Sequence, residues 1–332
     1  MLNRCFYFYK LKTELKLIYM DGINNKEIAK YLVVLSKAGR KFTSEKDTRW
    51  GGLIEPAPTE NPDKKDEGLR VVLFGSWDFG YLVLETLKEF ENKYPGQLNL
   101  VGLVTDDPLN PDAKISLKKR IWHLLDVPHR LIDETIIIGS ALKHGVPVYT
   151  GEIKVDSFHD ILKKWNPDVI LVCVFGQIID SFAINLPRRG IYNFHPSDLS
   201  LHQGAGPAPY DDLLNRHAET GLWSVHYVSE EVDGGKVVGK SPDVKVVDVN
   251  NELPANPIIV YHKLAGVLSS MAFYLMQELV RNFEINKEGR IDRVDFNSLI
   301  PDSIKNIIMQ PVTNDSWPDA VEIPEGYLYK SG

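Results

Sequence analysis

Residues 169–174, Val-Ile-Leu-Val-Cys-Val, are apolar without a break and without alternation. A strand with one wet face alternates apolar and polar side chains. A strand covered on both faces does not, and that is the habit of parallel α/β sheets. The run therefore predicts a central strand with helices above and below it. The next strand-like stretch, Ile191-Tyr192-Asn193-Phe194-His195, ends at Pro196, which has no N–H for a ladder. Period-2 alternation puts Asn193 and His195 on one face. One is a neutral donor and acceptor, and the other handles protons near neutral pH. In an open α/β sheet, ligands bind just beyond the carboxyl ends of the strands, where this pair stands. Taken alone, the pair reads rather as two satisfied polar groups at a strand end.

The rest of the chain extends the alternation of strand and helix. Leu69–Gly75 is an apolar, β-rich run, and Gly75-Ser76-Trp77-Asp78-Phe79-Gly80 turns into a helix predicted over 81–90. Leu98–Thr105 is a second strand, 136–144 a helix, 146–149 a short strand and 158–165 another helix. This order predicts a doubly wound, mostly parallel α/β domain over 69–282. G-x-x-x-x-G is not the dinucleotide fingerprint G-x-G-x-x-G, and no Walker lysine follows it, so a nicotinamide oxidoreductase has little support. Leu222–Val228 alternates as a half-buried strand, 230–235 is an acidic turn, and 258–280 reads as one long helix with an apolar stripe.

Ahead of this domain, residues 1–54 read as a helical appendage. Asn24 or Asn25 serves as cap, Ile28, Tyr31, Leu32 and Leu35 form an apolar face, and Gly39 is a stop. Residues 1–50 carry 11 Lys/Arg against 5 Asp/Glu, +6, which leaves −13 of the total −7 to the remainder. A loose helix-turn-helix pattern there offers nucleic-acid contact, and packing on the main domain or a partner subunit is the plainer alternative. Residues 55–68 are Pro-rich and charged and read as a linker. Residues 283–332 hold 9 acidic and 5 basic residues and four prolines, and read as a strand or hairpin plus an extended surface tail. Two distant cysteines, Cys5 and Cys173, exclude a disulfide framework and suit a reducing cytoplasm. No uninterrupted leader or span of membrane length is seen, so a cytoplasmic protein is expected. His202, His217 and the other histidines show no i,i+4 pairing, and no metal is expected.

Several motifs in fixed order give the region 69–280 a resemblance to folate-dependent formyltransferases. They are Phe74-Gly-Ser-Trp-Asp-Phe79, Pro167-Asp-Val-Ile with Phe175-Gly-Gln177, Asn193-Phe-His-Pro-Ser197, Gly204-Ala-Gly-Pro207, and Val232-Asp-Gly-Gly235. The resemblance implies a Rossmann-like formyltransferase domain using 10-formyltetrahydrofolate as co-substrate. It implies Asn193, His195 and Asp233 as the catalytic trio, although Asp is also a common turn residue before Gly-Gly. The pterin pocket would be built from Val174, Phe175, Gly176, Gln177 and Ile178 on one wall, with Glu230, Val232 and Gly234 on the other. Acceptor contacts would come from Gly75, Ser76, Trp77, Asp78, Phe79, Ser197 and Gly204. His226 matches a histidine of the family strand before the Asp, and is equally a packed, hydrogen-bonded residue.

Where the methionyl-tRNA members of the family read Leu-Leu-Pro followed by Arg-Gly, this chain has Asp198-Leu199-Ser200 and then His202-Gln203-Gly204. Its last fifty residues are acidic where those members carry a basic tRNA-holding barrel. The resemblance thus implies a small-molecule amine acceptor, a nucleotide-linked amino sugar ahead of methionyl-tRNA or glycinamide ribonucleotide. tRNA is not the favoured partner, no membrane partner is expected, and a homodimer is left open. The contrasting reading is an inactive folate- or nucleotide-binding regulator with a DNA-binding appendage.

Overall fold

The computed structural model describes residues 52–58, 61, 64, 66–105, 137–201, 208–255, 257–285 and 289–312. The expected helices of residues 1–51, residues 106–136 and the whole of the expected Gly204–Pro207 loop lie outside these described residues.

The core strand expected at 169–174 is β5, Val169–Cys173, and it is buried throughout. It pairs in parallel with β2 (Leu69–Gly75) on one side and β6 (Ile191–His195) on the other. The sheet continues outward from β2 through β3 (Leu98–Val104) and β4 (Val148–Tyr149), all parallel. Its full order is β1-β4-β3-β2-β5-β6-β8-β9, and β7 (Thr220–Gly221) lies outside it, paired antiparallel with Val244–Lys245. β1 (Leu53–Ile54), β8 (Ser224–Tyr227) and β9 (Val237–Lys240) run antiparallel to their inner neighbours. The chain thus winds outward from β2 to β4, then restarts at β5 and winds the other way. The direction of winding reverses between the parallel strands β2 and β5, and the carboxyl ends there frame the crevice in which such folds take ligands.

Alternation along β2 explains the two layers. Leu69, Val71 and Leu73 pack with α1 (Trp77–Lys93), helical residues 137–143 and the long helix near the C-terminus, whereas Val72 and Phe74 face α2 (Asp156–Trp165) through Phe158, Leu162 and Trp165. Both faces are covered, as the non-alternating apolar runs require. β8 keeps the one-sided pattern. Trp223 and Val225 enter the first core, leaving Ser224 and His226 on the opposite face.

Five sequence expectations change in detail. Leu53 and Ile54, assigned by sequence to the appendage, pair with Tyr149 and Val148 as an edge strand. In the segment read as a linker, Asn61 donates to the His144 carbonyl (3.1 Å) and Lys64 lies 3.5 Å from Glu91, so these residues are strapped to the domain. The single helix expected at 258–280 is two, α3 (Pro257–Ala265) and α4 (Leu268–Ile285), separated by a turn at Gly266-Val267. By length and composition, residues 259–285 would also suffice to cross a membrane, an exception to the expectation of no such stretch. Their apolar positions are instead spent on the core, since Leu264, Val267, Leu268, Met271, Leu275 and Leu279 are all buried. Finally, the C-terminal extension forms two short helices, Phe296–Leu299 and Asp302–Ile308, where a strand or hairpin was expected. Ile300, Ile304 and Ile308 recur at helical spacing and are buried, and the Asp295 carboxylate caps the first helix by accepting from the Ser298 N–H. The Val294 N–H donates to the Val238 carbonyl at 2.9 Å, which begins to cover the open edge of β9.

Candidate active site

β6 delivers Asn193 and His195 to the carboxyl edge of the sheet on the same face. Asn193 stands directly across from His226 on β8, and His195 across from Ser224. The register makes the first contact of the site, with Asn193 Nδ2 2.9 Å from His226 Nε2. His226 Nδ1 lies 2.8 Å from the Tyr227 carbonyl, which can only accept. The ring proton therefore sits on Nδ1, and the Nε2 lone pair accepts from the Asn193 amide. That bond fixes which end of the carboxamide points inward and leaves its second N–H available.

The third side chain arrives from the turn after β8. Asp233 adopts φ +57°, a left-handed conformation that Asp tolerates better than most residues. Its neighbours Glu230, Glu231, Val232 and Gly234 are exposed, but the Asp233 side chain is turned in and only 10% exposed. One carboxylate oxygen, Oδ1, is 3.6 Å from His195 Nδ1 and 3.7 Å from His226 Nε2. The two imidazoles meet edge to face at 6.2 Å between centroids. The position of the turn depends on Gly235, because a Cβ there would fall 1.8 Å from the Tyr227 carbonyl oxygen.

Burial pushes the His226 imidazole below its ordinary pKa, against the opposing pull of the Asp233 carboxylate. Because the folded form refuses a proton that the unfolded chain accepts, stability rises with pH between the folded pKa and about 6.5. As pH falls through that window the contribution is lost. Urea unfolding at several values between neutral and acid pH should show this decline, and His226→Gln should flatten it. An equal decline in the variant would assign the acid sensitivity to other groups.

The loop after β5 forms another part of the crevice. Val174 has φ +52°, strained for a β-branched residue and worth on the order of 1–3 kcal/mol. Phe175 is buried against Phe74 with centroids 5.2 Å apart, Gly176 is buried, and Ile178 is 63% exposed. The Gln177 side chain is engaged with the loop after β4. Its Oε1 accepts from the Ile153 N–H and its Nε2 donates to the Gly151 carbonyl, both at 3.1 Å. Its side chain braces the crevice wall.

The acceptor positions fare differently. Gly75 and Gly80 touch, since a Cβ on Gly80 would lie 2.7 Å from the Gly75 carbonyl carbon. This close approach is why both are glycine. Ser76 is fully buried with its hydroxyl 3.1 Å from that of Thr105, and Phe79 packs edge-on against Trp223 in the core. Ser197 is buried, with its carbonyl accepting from the Ser224 hydroxyl. These three side chains are thus buried, Phe79 because the helix already begins at Trp77 and turns it inward. Gly204 and the side chains of Trp77 and Asp78 lie outside the described residues. His226, the residue that sequence left evenly divided, is the hub of the site. The alternation in Trp-Ser-Val-His-Tyr puts it on the polar face, but only the antiparallel register with β6 brings it to Asn193.

Residues 147–253 match the family model described as formyl transferase, about a third of the chain. Over that segment the chain resembles the formyltransferase family. It is 24% identical over 234 residues to the methionyl-tRNA formyltransferase of Ureaplasma urealyticum, covering 68% of this chain and 69% of the relative. With that of Bacillus pumilus it shares 30% identity over 183 residues, 55% of this chain and 50% of the relative. The matched stretch thus spans about half the length of several such relatives, the Bacteroides fragilis protein included. Among solved structures, glycinamide ribonucleotide transformylase 1 from Geobacillus kaustophilus aligns at a TM-score of 0.46 and 20% identity, covering 64% of this chain and all of that one. A formyltetrahydrofolate deformylase from Pseudomonas syringae aligns at 0.45 and 16%, covering 64% and 63%.

Proposed function

We propose that this chain transfers a formyl group from 10-formyltetrahydrofolate to a primary amine on a small, nucleotide-linked acceptor, an amino sugar being the reading we favour. The observation that carries the chemistry is the meeting of Asn193, His195 and Asp233, through His226, at the carboxyl edge of a doubly wound sheet. Attack of an amine on the formyl carbon makes a tetrahedral oxyanion. The amine must lose a proton, and N10 of the folate must gain one as the C–N10 bond breaks. The Asn193 amide, held by His226, offers its second N–H to that oxygen. His195 polarises the same oxygen or relays the proton to N10, and Asp233 orients His195 and draws the amine's proton through water. Burial of both imidazoles and of most of the carboxylate keeps bulk water from competing.

The pterin would lie against the loop of Val174–Ile178 and the turn of Glu230, Val232 and Gly234, where exposed Ile178 and Val232 offer apolar surface. On the acceptor side, Asp198, which stands where the resemblance gives the methionyl-tRNA members a leucine, is paired with Lys240 at 2.6 Å. It follows His-Pro-Ser in the stretch that departs from the tRNA enzymes, and that departure favours a small acceptor. Tetrahydrofolate release should be assayed with a nucleotide-linked amino sugar, glycinamide ribonucleotide and methionyl-tRNA. Turnover with the sugar alone is expected. Turnover only with methionyl-tRNA would overturn the acceptor, and no folate binding together with no turnover would overturn the reaction.

A further inference from the structure

We propose that His195, His226 and Asp233 bind one divalent transition-metal ion, with Zn²⁺ as the best fit, and that the bound ion shuts the site down. Their ligand atoms all lie within 4.8 Å of one another, the one such three-residue group found among the described residues. Zinc takes nitrogen at about 2.0–2.1 Å and carboxylate oxygen at about 2.0–2.2 Å, so two ligands on a tetrahedral ion stand roughly 3.4 Å apart. His195 Nδ1 and His226 Nε2 already stand 3.6 and 3.7 Å from Asp233 Oδ1. The three atoms thus come within a few tenths of an ångström of two edges of the required tetrahedron.

The surroundings match a metal site beyond the distances. The N–H of His226 on Nδ1 is spent on the Tyr227 carbonyl, which leaves Nε2, the nitrogen that accepts from Asn193 and lies 3.7 Å from Asp233 Oδ1, as the atom able to coordinate. A backbone or carboxylate acceptor on the far nitrogen is the usual support of a metal-binding histidine. Two ligands ride on paired strands, so little order is lost on binding. Two imidazoles and one carboxylate select zinc, cobalt or nickel over magnesium or calcium, which prefer all-oxygen cages. The ion would displace the Asn193 N–H from His226, and the freed carboxamide or a water would take the fourth corner. Helical i,i+4 spacing could not reveal this site, because its ligands come from β6, β8 and a turn.

Zinc on these atoms occupies the groups that would handle protons, so the inhibitory half of this inference rests on the proposed function, whereas the binding half does not. Chelator-treated full chain should be titrated with Zn²⁺ against a chromogenic competitor. Binding of one ion per chain at micromolar free zinc is expected, with a Co²⁺ substitute giving the visible absorption of a tetrahedral nitrogen–oxygen site. His226→Ala and Asp233→Asn should each weaken uptake by about 100-fold, while His159→Gln, whose partner is Asp180 elsewhere, should leave it unchanged. A zinc-dependent rise in the unfolding temperature of the wild-type chain supplies a readout that needs no variant. No uptake at micromolar zinc, or uptake that survives His226→Ala in a folded protein, overturns the site. Turnover that continues with zinc bound overturns only the inhibitory half, and zinc binding in a chain that binds no folate and turns over no acceptor overturns only the formyl reading.

Discussion

His195→Ala should lower tetrahydrofolate release by roughly 10²–10⁴-fold, the usual worth of a positioned acid–base group, with folate binding retained. The ring stands at the end of β6, 4% exposed, with Nδ1 3.6 Å from Asp233. Its removal takes away proton handling at the formyl oxygen and leaves the β5 loop untouched. Asp233→Asn keeps the shape of the turn and removes the charge that orients the ring, so it should fall in the same range. The two act through one contact, and the double variant should cost little more than either alone. Fully additive losses would mean that the carboxylate and the imidazole serve separate steps. Near-normal turnover in either single variant would remove that residue from the chemistry. A conservative readout separates this from a folding defect, since the single variants should unfold close to the wild-type temperature.

The neighbour that makes Asn193 effective is expected to behave differently. His226→Ala leaves the oxyanion donor in place but frees its carboxamide to rotate, so turnover should fall by about 10-fold, less than for the trio. A His226→Gln variant, which can still accept from Asn193 through its side-chain oxygen, should recover part of that loss. Steady-state rates on the two variants check the ranking, and equal losses would make His226 a packing residue only.

The architecture was legible where burial dictates composition. Val169–Cys173 could be read as a central strand because a residue covered on both faces has no choice but to be apolar. Asn193 and His195 could be paired because alternation needs no knowledge of the neighbours. What failed needed tertiary information. Ser76 and Phe79 look like loop residues free to meet a ligand, but the touching of Gly75 and Gly80 starts the helix early and carries them into the core. The apolar stripe of 258–280 is continuous through Val267, so nothing in its periodicity marks the turn at Gly266 beyond the glycine itself. The contact of His226 with Asn193 spans 33 residues and depends on an antiparallel register between strands separated by a loop and a helix. Strand alternation fixes the face of each residue but not its partner.

Gly235→Ala should be the most damaging single-methyl change near the site, costing on the order of 3 kcal/mol and roughly 5–10 °C in unfolding temperature. A Cβ at this position would lie 1.8 Å from the Tyr227 carbonyl oxygen and 2.7 Å from its carbon, and backbone cannot step aside as a flexible side chain can. The obstructed atoms belong to the end of β8, held there by the Tyr227 N–H, which donates to the Lys236 carbonyl (3.0 Å). Relief therefore has to come from the 230–235 turn, which swings Asp233 away from His195 and His226. Stability and turnover should fall together, with the loss of turnover approaching that of Asp233→Asn. Gly234→Ala provides the contrast. The three atoms nearest its Cβ, at 2.6–2.7 Å, all belong to the Glu231 side chain, which is exposed and can rotate away, so it should cost well under about 1 kcal/mol. Thermal unfolding and tetrahydrofolate release measured on both variants decide the matter. If Gly235→Ala melts like Gly234→Ala and turns over like the wild-type chain, the close approach to Tyr227 is not what holds the carboxylate in place.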